Sequence, residues 1–236
     1  MRKMIIAVAV SATLIQTSGA QNKSETIEGN GKIVTRDIPV QSFSKLKASG
    51  VYELKLSQGN KESVKIEADE NLQELFQVKN EGNKLVIDTK KMKNTNLKSK
   101  SKMRVYITFK NLTDLELSTV GNVKSEGSLA FEDLELDTKS VGNIDLQLTA
   151  NKLNVTNAGV GDVTLSGKAQ NTVMKNSGVG SVHAGEFVVQ TMNIDNSGVG
   201  SAEVNAAKEL KVKDSFLGKV KNKGNATMKK TKKVVI

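Results

Sequence analysis

The chain has 236 residues, a net charge of +10, one histidine, no cysteine and no tryptophan. Without cysteine there is no disulfide, no lipid-attachment cysteine and no Cys/His cluster for a transition metal. The length is enough for one sizeable core.

Residues 1–20 read as a secretory signal. Arg2 and Lys3 precede an apolar run over 4–15, and Ser18-Gly19-Ala20 offers small residues for cleavage before Gln21. The run is too short to span a bilayer. The expectation is an exported chain, not membrane-spanning after processing, in the periplasm, outside the cell or at its surface. Residues 21–31 are polar and read as a flexible lead.

Residues 32–111 read as an irregular β part. Polar and apolar residues alternate from Ile33 to Ile38, and further strands are expected over 51–56, 63–67, 84–88 and 103–109. Residues 69–77 predict one helical turn capped by Asp69. This part caps the residues after it, because a stack of strands with an open end exposes an unpaired edge.

Residues 112–228 carry a repeat. Gly121, Gly142, Gly161, Gly180, Gly200 and Gly218 are 21, 19, 19, 20 and 18 residues apart, and all but the last follow a valine. Two positions after each glycine stand Val123, Ile144, Val163, Val182, Ala202 and Val220. A second alternating lane holds Leu134/Leu136, Leu153/Val155, Thr172/Met174, Met192/Ile194 and Leu210/Val212. The period predicts an all-β fold, a β-solenoid whose rungs of about 20 residues each hold two short strands and two turns. Stacked rungs form two facing parallel sheets, about 4.8 Å per rung. The motif glycines supply the positive φ that a sharp corner needs. Asn157, Asn176 and Asn196 stand four residues before a motif glycine and predict a hydrogen-bonded ladder between rungs. Gly224 and Asn222, in the terminal segment, are expected to tolerate substitution.

Charge is segregated. Lys90, Lys91, Lys93, Lys98, Lys100, Lys102 and Arg104 lie in one stretch with no acid among them, and residues 219–236 hold seven lysines and no acid. Residues 229–236 read as a basic tail. Residues 112–218 hold 14 acidic and 8 basic residues. The basic loop is a candidate contact for an anionic glycan, lipopolysaccharide or another envelope protein. The plainer reading is that the lysines solvate a loop and protect an edge.

Little points to catalysis. His183 is isolated beside a turn. Glu132/Asp133, or Asp145 with Asp162, are carboxylates of the kind a glycosidase pairs. Enzymes that act on sugars usually present aromatic platforms, but this chain has no tryptophan and its two tyrosines, Tyr52 and Tyr106, lie outside the repeat. A calcium repeat needs an Asp in every unit, and the residue after the motif glycine runs Asn, Asn, Asp, Ser, Ser, Lys. The alternating glycines open no helix, so they are not a nucleotide loop. No cofactor and no nucleic acid partner are expected.

Several stretches together resemble one family. They are the Val-Gly-Asn-Ile and Ser-Gly-Val-Gly-Ser units, Gly31 to Ile38, Phe43, Ala48-Ser49-Gly50-Val51-Tyr52, Ile66 to Leu72 and Gly82 to Ile87. The family is the bacterial head GIN domain, described as putative auto-transporter adhesin, and the likeness covers roughly residues 28–228. The resemblance implies a right-handed, two-sheet β-superhelix similar to pectin-lyase-type helices without their catalytic residues, and an adhesion role. This sequence shows no translocator barrel or coiled-coil stalk and departs from the auto-transporter description there. The expected function is an exported, non-enzymatic binding or adhesion module. The alternatives are a carbohydrate-active enzyme on a β-helix scaffold and a structural envelope protein that self-assembles into a homo-oligomer.

Overall fold

A computed structural model describes residues 25–90, 95–98, 102–215 and 217–230. The expected signal segment, Lys91, Lys93, Lys100 and the end of the basic tail lie outside the described residues. The strands are β1 (Glu25–Glu28), β2 (Ile33–Ile38), β3 (Lys45–Val51), β4 (Glu53–Gln58) and β5 (Ser63–Asp69). After a 3-10 helix (Glu70–Leu75) come β6 (Phe76–Glu81), β7 (Lys84–Thr89), β8 (Thr95–Lys98), β9 (Arg104–Phe109), β10 (Asp114–Val120) and β11 (Val123–Ser125). The long strands are β12 (Leu129–Thr138), β13 (Ile144–Asn157), β14 (Val163–Asn176), β15 (Val182–Asn196) and β16 (Ala202–Asp214). Two short ones follow, β17 (Val220–Asn222) and β18 (Met228–Lys230).

The fold is a β-solenoid of about six turns. Rungs stack in parallel register: Ile144 on Val163, Val163 on Val182, Val182 on Ala202, Ala202 on Val220. The lane two residues after the motif glycine is buried throughout, and so is the second lane from Leu134/Leu136 to Leu210/Val212. Fully burying a side chain of this size contributes roughly 1.5–3 kcal/mol, so each added rung is stabilised by its neighbours. Most rungs differ from the expectation in one detail. Two short strands are fused into one bent strand of 13–15 residues, and in the β13–β14 pair only the corner residues Asn151 and Gln170 drop out of register.

The uneven glycine spacing has local causes. Between Gly121 and Gly142 the chain makes a loop at Glu126-Gly127-Ser128. Between Gly180 and Gly200 a bulge sets Ala184 and Gly185 against Leu165 alone, which adds one residue to the rung.

The stack begins before the glycine repeat. β3 pairs with β10 and β4 with β11, so residues 45–58 form a rung in register beneath 114–125. Tyr52 lies opposite Gly121 and is buried, with its hydroxyl donating to the Ile87 carbonyl at 3.4 Å. Burial pushes the Tyr52 hydroxyl well above its ordinary pKa. Antiparallel strands close this end: β2 on β5 on β9 over one sheet, β6 on β7 over the other. Part of the lead expected to be flexible is a strand, since β1 pairs with β8 in a small parallel sheet. Asp69 does not cap the 3-10 helix with its side chain; it accepts from the Gly31 amide at 2.7 Å. At the other end, among the described residues, β17 and β18 cover part of β16, with Lys219, Lys221, Lys229 and Lys230 there as edge charges.

Candidate functional site

Of the seven candidate basic residues, the structure describes four. Lys90 follows β7 and Lys98 ends β8, and both are exposed. Lys102 is also exposed but pairs with Glu53 at 2.7 Å. Arg104 opens β9 and forms ion pairs with Glu67 and Glu53. Arg104 is therefore tied into a sheet-surface network and does not point into a free loop. Its partners come from β4 and β5, far away in sequence.

Lys90 and Leu97 line a cleft of about 530 Å³ with Lys47, Val51, Leu75 and Asp88. Its lining joins three apolar side chains to two lysines and one carboxylate. β1 holds the β8 wall in place, and the Gly29 amide donates to the Lys98 carbonyl at 2.7 Å.

Ion pairs between rungs shape the surface. Lys45 reaches Asp114 at 3.1 Å, while Lys84 and Lys47 reach Glu116 at 2.6 and 3.2 Å. Glu53, Glu116 and Asp114 are all held below the ordinary carboxylate range. The largest cause is a hydrogen bond from Lys102, from Lys84 and from Thr113 respectively. A carboxylate more acidic in the folded than in the unfolded chain adds stability above its ordinary pKa, and that stability is lost as pH falls. The melting temperature is expected to be level from about pH 7 to 5 and to fall between about pH 5 and 3. A level melting temperature down to pH 3 would remove these pairs as contributors.

The repeat corner holds the predicted turn residues. Gly121, Gly142, Gly161, Gly180 and Gly200 have φ between +129° and +142°. Gly218 sits in register beneath Gly200 without a positive φ; its place is fixed by close approach to the Asn196 carbonyl. Gly159, Gly178 and Gly198 also lack positive φ, and a Cβ at each would come within 3 Å of the carbonyl of the rung before. These three are glycines for want of space. Asn157 donates to Asn176 at 2.7 Å, Asn176 to Asn196 at 2.6 Å, and Asn196 to the Gly200 carbonyl at 3.2 Å. All three side chains are buried.

A family model described as putative auto-transporter adhesin, head GIN domain, matches residues 42–226. The chain belongs to this family. It is similar to a putative adhesin from Bacteroides fragilis at 32% identity and a TM-score of 0.73, over 87% of this chain and 100% of that one. A putative lipid binding protein from Parabacteroides distasonis shares 19% identity at a TM-score of 0.67, over 87% and 95%. A putative adhesin from Parabacteroides merdae shares 20% at 0.53, over 88% and 100%. These last two are likenesses of fold. No curated protein matches the chain.

In this head GIN domain the residue after the motif glycine has a structural task that sequence reading missed. The Asn122 side chain accepts from the Asn143 amide at 3.0 Å, Asn143 from the Asp162 amide at 3.1 Å, and Asp162 from the Ser181 amide at 2.8 Å. Asn and Asp interchange there because either side chain supplies the acceptor oxygen. Other carboxylates that could serve catalysis also have local partners: Asp145 with Lys124 at 3.5 Å, and Glu132, which accepts from the Asn151 side-chain NH2 at 2.5 Å. His183 is exposed, 3.7 Å from Asp162. Among the described residues no three metal-ligating side chains come together, and no helix is long and apolar enough to cross a membrane.

Proposed function

We propose that this chain is an exported, non-enzymatic adhesion module that contacts anionic components of a cell envelope through the N-terminal end of its solenoid. The observation that carries this reading is the placement of Lys90 in a cleft with apolar Val51, Leu75 and Leu97, with Lys98 next to Leu97 at the end of β8. An acidic glycan would engage the lysines alone. Lipopolysaccharide would also set acyl chains against Val51, Leu75 and Leu97. The lipid-binding description of one structural neighbour supports including that class. A non-enzymatic role is supported by the tasks of Asp162, Asp145 and Glu132, each tied to a group on an adjacent rung. Residues 1–20 supply the export signal in this reading.

The test is binding of the purified mature chain to lipopolysaccharide and to an acidic glycan. Contact between exposed charges weakens as salt rises from about 50 to 300 mM, because the screening length shortens from about 14 to 6 Å. The Lys90→Gln, Lys98→Gln double variant is expected to weaken binding several-fold with little change in melting temperature, since both side chains are exposed. Binding indifferent to both salt and the double variant would remove this end as the contact surface.

A further inference from the structure

The valine before the motif glycine belongs neither to the core lanes nor to the asparagine ladder. Val120, Val141, Val160, Val179 and Val199 are bridged from rung to rung. Val51 continues the line by its register with Val120, and Leu217 by accepting from the Gly200 amide. The five bridged valines are 48–51% exposed, Val51 43% and Leu217 59%. Seven rungs make a ridge about 29 Å long. Its bed is small and mostly uncharged: Ser177 and Ser181 flank Val179, Ser197 and Ser201 flank Val199, and glycines lie between. Continuous apolar strips of this extent on a soluble surface mark contacts.

We infer that this ridge is an interface between two copies of the chain, laid ridge to ridge and end for end about a two-fold axis near Val160.

The chemistry of the ridge narrows its occupant. A membrane surface favours aromatic and basic residues beside an apolar strip, whereas the positions two residues to either side of the ridge hold no aromatic side chain and only two bases, Lys139 and Lys219, offset by Glu53 and Asp162. An added peptide strand needs free backbone groups. Here the Val141, Val160, Val179 and Val199 amides already donate to the preceding rung, and the Val141, Val160, Val179 and Val199 carbonyls accept from the motif glycines. A second copy brings a ridge of identical spacing. End-for-end reversal with a half-rung offset drops each valine between two of the partner's, whereas an axis along the ridge would set the tips against one another. The acidic repeat body, with 14 acids to 8 bases over residues 112–218, repels a second body, so the corner, where the few flanking charges cancel, is where two bodies approach most easily. Seven rungs by five residues cover about 500 Å² per partner, against about 800 Å² in a standard interface. The pair is therefore reversible and concentration-dependent. It does not rest on the basic loop, and an apolar contact holds or strengthens with salt.

The test is sedimentation velocity of the mature chain from about 10 μM to about 1 mM, the range in which a weak pair forms. The parent is expected to move from monomer towards dimer, at least as readily at 300 as at 50 mM salt. The Val160→Glu, Val179→Glu double variant is expected to stay monomeric. Val173→Glu, at an exposed valine on a broad face, should pair like the parent. Because the chain has no cysteine, Val160→Cys gives an independent readout. It should form a disulfide-linked dimer on mild oxidation, and Val173→Cys should not. This arm decides if the double variant fails to fold. A parent monomeric at about 1 mM, a dimer that survives the double variant, or equal linking at 160 and 173 overturns the proposal. A monomeric parent whose ridge instead binds phosphatidylcholine vesicles also overturns it. Loss of anion binding with pairing intact would sink the proposed envelope contact and leave this one standing.

Discussion

Gly180→Ala is expected to lower the melting temperature by about 10 °C or more, and Gly127→Ala by only a few degrees. Both glycines have positive φ, +134° and +96°. Any L-residue there carries strain of about 1–3 kcal/mol, so that cost is common to the two. They differ in what a methyl group would meet. A Cβ at Gly127 has nothing within 4 Å, whereas one at Gly180 would come within 3 Å of the Gly161 carbonyl. The same approach recurs up the corner: Gly142 on Gly121, Gly161 on Gly142, Gly200 on Gly180. Adjacent rungs are locked by pairing on both sides of the corner, so the carbonyl cannot retreat without opening the ladder. Overpacking of this kind adds about 1–3 kcal/mol. At about 2–4 °C per kcal/mol for a chain of this length, the two effects separate in one thermal scan. Equal losses at 180 and 127 would mean that backbone conformation, not rung spacing, selects these glycines.

Much of the solenoid is legible because its signals are local. The alternation at Val123 and at Leu134/Leu136 recurs each period, and both lanes are buried as the pattern requires. What escapes the sequence depends on neighbours from other rungs. Residues 45–58 stack as a rung, yet Tyr52 stands at the glycine position and hides the period. Arg104 reads as part of a free basic loop because Glu53 and Glu67 lie on other strands. Asn222 and Gly224 look dispensable near the chain end. In the structure Asn222 accepts from the Ala206 and Gly224 amides and donates to the Ala226 carbonyl, and a Cβ at Gly224 would come within 3 Å of the Ala206 carbonyl. The terminal turn is as tightly built as the interior ones. The exposed valines escape for another reason: periodicity identifies a repeated apolar residue but cannot tell an outward corner from an inward strand.

Asn176→Ala is expected to cost about 2–4 kcal/mol, because the buried Asn157 side-chain NH2 and the buried Asn196 side-chain oxygen each lose the partner it supplies. Asn176 accepts from Asn157 and donates to Asn196, and its oxygen also receives the Gly178 amide at 3.4 Å. Water cannot easily replace it, since the side chain is 1% exposed. Asn193→Ala, on the exposed face of the next rung, is expected to shift the denaturant midpoint very little, within about 0.5 kcal/mol. The ladder makes a sharper prediction for the pair Asn157 and Asn176. Removing Asn176 alone orphans the Asn157 amide; removing both leaves no orphan between them. The double alanine variant should therefore cost less than the sum of the single variants, by about 0.5–3 kcal/mol, as coupled neighbours do. Denaturant unfolding of the four chains of this cycle gives the coupling directly. Strict additivity would show that each asparagine acts only on its own turn, and that rung-to-rung bonding contributes nothing to the stack.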